Sequence, residues 1–259
     1  MRIHLLLVLG LMTLLPGNLA AADSRNDDAA DRLSKSADVL REVAAAGDKG
    51  IPEQVLTRAK CIVVVPNLVK AGLLVGGKYG RGAAVCRTDK GNEVSTAQRS
   101  HQAGKAAWSA PAFITLGGAS IGLQIGAEGT DLVMLVMNSE GLKQLLASKL
   151  EFSVEGSMTA GTVGKSAAVG STPNLNAELQ IYSVSKGAFA GQALEGAVIE
   201  QDSDATKAIY GSDIPSAKIL RGEVKVPASA SPLLQEVDAL THQAAAQQAS
   251  QQMPARQKQ

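Results

Sequence analysis

Few residues in this chain pair a reactive side chain with a partner at useful spacing. Of its three histidines, His4 precedes an apolar run, His101 sits in a polar stretch and His242 lies near the C-terminus. Neither His101 nor His242 has a second metal-ligating residue at helical or strand spacing, so no metal site is expected. A hydrolase built on His101 would need an activated serine, and the sequence contains no G-x-S-x-G elbow. The stretch Gly76-Gly77-Lys78-Tyr79-Gly80-Arg81-Gly82 is glycine-rich. It lacks the order of a phosphate-binding loop and reads better as a tight strand corner. Glu128 and Asp131 flank Gly129-Thr130 and read as a solubilised turn, while Glu178 and Glu195 have no basic sequence neighbour. No catalytic residues and no cofactor are expected.

Two cysteines, Cys61 and Cys86, both fall in apolar, strand-like runs. Paired strands would bring the sulfurs together as a disulfide. Two separately buried thiols fit the sequence equally well, since free cysteine packs as a small hydrophobe.

Charge carries more information than any motif. Among 259 residues, 25 Lys and Arg face 24 Asp and Glu, a net charge of +1. That balance speaks against nucleic acid. The distribution is uneven, however. Residues 51–110 carry nine basic and three acidic groups, net +6, and residues 111–223 carry seven basic and twelve acidic, net −5. Such a basic stretch can hold anionic head groups while its stems lie on apolar surface, or it can balance the acidic segment within the fold.

These residues must be positioned by elements that the patterning predicts. Arg2, the apolar run Leu5–Leu15 and the small residues ending at Ala22 have the form of a secretory signal peptide. Residues 1–22 are therefore expected to be removed, leaving a periplasmic or secreted protein. Residues 27–46 place Leu33, Ala37, Leu40 and Ala44 at helical spacing, and a short helix opens at Ile51-Pro52. From Cys61 to about Glu200, short runs of Val, Ile and Leu punctuated by Gly read as many strands, including 119–127. Ala106–Ala127 is uncharged over 22 residues, but its period-two alternation favours a strand over a membrane span. Helical insertions are expected at Ser139–Ser148 and Ser203–Tyr210. After about Val226 the composition shifts to Ala, Ser, Gln and Pro, with one docking helix at Leu233, Leu234, Val237 and Leu240 and a disordered end. The expected fold is α+β: a Gly-rich curled antiparallel sheet or barrel with an N-terminal amphipathic helix and a few short packed helices. One domain over 23–223 and an Ala/Gln-rich tail over 224–259 complete it.

An ordered set of residues then resembles a known family. Ala59-Lys60, Pro66, Lys70-Ala71-Gly72, Gly76-Gly77, Tyr79-Gly80 and Gly82 are similar to the opening of the SYLF domain. Trp108-Ser109-Ala110-Pro111, Gly117-Gly118, Gly122 to Glu128, Asp131-Leu132, Asn176-Ala177-Glu178, Tyr182-Ser183, Lys186-Gly187 and Leu194-Glu195-Gly196 continue the likeness. It covers roughly residues 30–211. The resemblance implies a lipid-binding module without catalytic activity. Eukaryotic members bind phosphoinositides and other anionic lipids, some bind actin, and bacterial members are exported. The fold it implies also mixes a Gly-rich antiparallel sheet with helices.

Together these readings lead to a specific expectation. The chain is expected to be an exported bacterial envelope protein, peripherally membrane-associated, that binds anionic phospholipid. Lys60, Lys70, Lys78, Arg81 and Lys105 are the expected head-group contacts. The alternative is a structural envelope protein working through an envelope protein partner.

Overall fold

The computed structural model describes residues 17–45, 50–72, 75–88, 107–121, 126–147, 149–151, 158–162, 179–184, 194 and 197–252. Lys105, His101, Glu178, Glu195 and the middle of the expected 119–127 strand lie outside them.

The apolar run Cys61–Val65 opens β1 (Cys61–Gly72) at the centre of one sheet. Its residues are buried on both faces, which is why the run is continuous rather than alternating. β2 (Val75–Thr88) and β5 (Gly126–Val136) flank it antiparallel. β4 (Ala112–Ile121), β9 (Ala197–Gln201) and β6 (Lys149–Glu151) extend the β2 side. β8 (Leu179–Val184) and β7 (Met158–Thr162) extend the β5 side, β7 joining in parallel. The short β3 (Ala107–Trp108) pairs with β2. The order β6-β9-β4-β2-β1-β5-β8-β7 leaves both ends unjoined among the described residues. The fold is α+β with a curled, open sheet, so the sheet alternative holds rather than the barrel.

Helices cover both faces. On the first face, α1 (Gly17–Ala45), α2 (Glu53–Arg58) and α6 (Ser231–Gln252) bury Ile62, Val64, Val85, Phe113 and Val133 of the sheet. Ala29, Leu33, Leu40 and Val43 form the inward stripe of α1, at the spacing a one-sided helix requires. On the second face, α3 (Ser139–Leu146) and α5 (Ser216–Leu220) supply Leu145, Ile219 and Leu220 to a core with Val63, Val65, Met134 and Ile199. α4 (Ser203–Tyr210) follows β9, capped by the Asp202 carboxylate on the Ala205 N–H at 3.0 Å. At α3, Asn138 rather than Ser139 is the cap, accepting from the Glu140 and Gly141 N–H groups.

Several local expectations change. The expected cleavage point after Ala22 falls inside α1 (Gly17–Ala45). Gly76–Gly82 is not a corner but the interior of β2. Gly129-Thr130 is not a turn but part of β5. A bulge between Val65 and Leu68 explains both local patterns. It puts Asn67 at φ 51°, and the Asp131 carboxylate accepts the Asn67 N–H at 2.7 Å. A side chain at Gly82 would run into the Val64 carbonyl, so glycine lets β2 follow the bulged strand. At the C-terminus, α6 continues to Gln252, beyond the docking residues the composition singles out.

Candidate protein-contact surface

The five expected head-group contacts do not form one surface. Lys60 stands at the start of β1 and donates to Ser139 Oγ at 3.0 Å. Lys70 is roughly 30 Å further along the strand. Lys70 and Lys78 are direct cross-strand partners, and Lys70 is also in register with Glu128. This row lies on the second face, where Lys78 is only 4% exposed. Arg81, three residues on, points to the first face and pairs with Asp28 of α1 at 2.8 Å. Lys105 is outside the described residues. Arg87, another member of the basic stretch, donates to the Ala59 and Leu56 carbonyls at the end of α2 and lies over the Trp108 ring. Burial lowers its pKa, an effect that Asp238 partly offsets. Much of the described basic stretch is thus engaged in joining elements of the fold.

Cys61 and Cys86 face each other in register, and their sulfurs are bonded, 2.03 Å apart. Both are buried, so the bridge is part of the second core. Among the described residues, no three of His, Cys, Asp and Glu gather as a metal site. No helix there is long and apolar enough to cross a membrane.

The surface that stands out was not singled out from sequence. On the first face, the Gly-rich end of the sheet carries exposed residues. There Val69 and Tyr79 sit side by side in register, 39% and 56% exposed. Tyr79 is next to Gly117 across β4, and Val69 is next to Gly129 across β5. A Cβ added at Gly117 would meet nothing within 4 Å. Ala71, Gly77 and Ala119 continue the bare surface one row further out. The result is an uncharged patch of small residues with one aromatic projection, bounded by the Asn67 side chain over Gly129, in a chain with seven aromatic residues. Exposed tyrosine beside small residues suits a protein contact, because it offers a large rigid area at low entropic cost. The available signal was parity: in a strand, Tyr79 must share a face with Arg81, Ala83 and Val85.

The border of this face is built firmly. Arg32 of α1 is 6% exposed, donates to Asp202 at 2.8 Å, and lies over the Phe113 ring. Asp28 lies 3.5 Å from Arg32 and also holds Arg81. Burial opposes ionisation of Asp202, but the Ala205 N–H and Arg32 prevail and hold its pKa below the usual value. Beside the network runs a cleft of about 400 Å³, with Tyr79 and Thr115 on one side and Arg25 and Ser203 on the other.

Comparison with known proteins corrects the expected setting. The family described as Ysc84, Las17-binding protein actin regulator, matches residues 117–240. An SH3 domain-containing protein of Schizosaccharomyces pombe is 37% identical over 71% of this chain and 40% of its own length. Protein YSC84 of Saccharomyces cerevisiae is 35% identical over 77% of this chain and 41% of its own length. The human SH3 domain-containing YSC84-like protein 1 is 29% identical over 80% of this chain and 58% of its own. The chain spans less than two thirds of each of these relatives. The family description names binding and regulation rather than catalysis. These fungal and animal relatives overturn the expectation of a bacterial, periplasmic or secreted envelope protein. The family description, Las17-binding protein actin regulator, likewise overturns the expected partners, anionic phospholipid and an envelope protein. The scattering of the basic residues is consistent with that correction. With its SYLF-like residues, the family match over residues 117–240 and relatives of 35–37% identity over more than two thirds of its length, the chain belongs to the Ysc84 (SYLF-domain) family.

Proposed function

We propose that this chain is a non-enzymatic protein-binding module of actin regulation and that it meets its partner through the Val69–Tyr79 face. The observation that carries the reading is the likeness over most of the chain to relatives such as protein YSC84, together with the match to a family described as Las17-binding protein actin regulator. The bare sheet end supplies a fitting surface: Tyr79 and Val69 project from a floor of glycine and alanine, and Arg81 is fixed at the border by Asp28. Such a surface excludes water over a broad area around one aromatic anchor, the arrangement of an interface hot spot. Lys70 and Lys78 belong to the other face and take no part in this contact.

The test uses the purified chain with two probes. Co-sedimentation with actin filaments and capture by budding-yeast Las17 are measured for the chain and for Tyr79→Ser. Binding to either probe that the substitution weakens supports the reading. Failure to bind both, or binding that Tyr79→Ser leaves unchanged, overturns it.

A further inference from the structure

A second surface lies where α1, α2 and α6 meet. It is a groove of about 640 Å³, within the range of peptide and small-molecule sites. Its floor is apolar, made by Val43, Ile51, Leu56, Leu240 and Ala244, all buried. Its rim is amide: Gln54 on α2 and Gln243, Gln247, Gln248 and Gln251 on α6. Among the described residues the one charged lining residue is Glu53, which accepts from Gln251 Nε2 at 3.1 Å.

The spacing of the rim is specific. Gln243, Gln247 and Gln251 recur at i, i+4 and i+8 along one face of α6, a repeat of about 6 Å. An extended strand presents like-facing backbone groups every two residues, about 6.6 Å apart. A polyproline helix repeats only every ~9.3 Å. Each glutamine amide both donates and accepts, which is what a peptide group needs from a partner. Neither Gln243 nor Gln247 has a hydrogen-bond partner among the described residues, and both are exposed.

We propose that this groove binds an extended, uncharged segment of a partner protein, with the α6 glutamines pairing to alternate peptide groups and small apolar side chains reaching the floor. The neutral rim selects against acidic or basic segments, whose charges would lose water without gaining a counterion. This proposal is independent of the actin reading, because it uses no residue of the Val69–Tyr79 face.

The test is selection of random nine-residue peptides displayed on phage against the full chain. The enriched sequences are then synthesised and titrated by fluorescence polarisation. Neutral sequences rich in strand-forming residues are expected. Gln243→Ala with Gln247→Ala should weaken them about tenfold or more, by removing two sets of hydrogen bonds. Methylating alternate peptide nitrogens should abolish binding, while Tyr79→Ser should leave it intact. Both glutamines are exposed, so the double variant should keep the melting temperature of the parent. Several results overturn the proposal: no enriched peptide, enrichment of charged or proline-rich sequences, or affinity indifferent to the double variant. Self-association of the chain that the double variant abolishes would assign the groove to a second copy and overturn it too.

Discussion

The guanidinium of Arg32 reaches the carboxylate of Asp202 at 2.8 Å across 170 residues of sequence. One carboxylate therefore does two jobs. It caps α4 through the Ala205 N–H, and it fixes α1 against the sheet by neutralising a buried arginine that also lies over Phe113.

Asp202→Asn should keep part of the cap but leave Arg32 with a weaker partner. The expected loss is about 2–3 kcal/mol, below that for a fully orphaned buried charge because Asp28 still lies 3.5 Å away. The sign of the pH dependence follows from the depressed carboxyl of Asp202. Its contribution is present above the unfolded carboxyl value of about 3.9 and is lost as pH falls through the lower folded value. Urea unfolding of the chain and the variant should thus differ at neutral pH and converge in strong acid. A gap that persists in acid would mean that lost packing, not charge, is responsible.

Two glycines on the sheet should respond in opposite ways to alanine. Gly82→Ala drives its Cβ into the Val64 carbonyl at the bulge, and should cost about 1–3 kcal/mol. Gly117→Ala meets nothing within 4 Å and should change stability by less than about 0.5 kcal/mol. Thermal melts of both variants check this, and equal effects would refute the close approach of β2 to the bulge.

The Cys61–Cys86 bridge closes a loop with a sequence separation of 25. Loop-closure entropy puts its stabilisation at about 3 kcal/mol. Reduced protein should lose that amount in denaturant titrations relative to the oxidised form, with thiol counting to verify each state. Identical midpoints would show that the pairing of β1 and β2 needs no covalent support.

Tyr79→Ser should separate folding from binding. Tyr79 is 56% exposed, so the melting temperature should hold, while partner binding should fall by about 2 kcal/mol if the ring is an anchor. Calorimetric titration with the better of the two proposed partners provides the number. A stability loss instead would place Tyr79 in the fold rather than at a contact.

What the sequence determined by itself is local and periodic. The run Cys61–Val65, the stripe of Leu33 and Leu40, the start of α4 at Ser203 and the docking residues of α6 all follow from patterns a few residues long. So does the family resemblance, because many of its motif residues are glycines and small residues in short clusters that can be read in order along the chain. What tertiary structure decided is long-range. Net charge by segment was legible, but the side of the sheet each cation takes was not. Lys70 and Lys78 meet because β2 turns back on β1 in that register, while Arg81 falls on the other face, against a helix fifty residues upstream. Gly76–Gly82 read as a corner because glycine permits corners; a bulge in the neighbouring strand explains it instead, and that bulge involves Asp131, sixty-four residues from Asn67. The Val69–Tyr79 face is of the same kind. Exposure depends on which elements pack over that end of the sheet, and no local pattern records that.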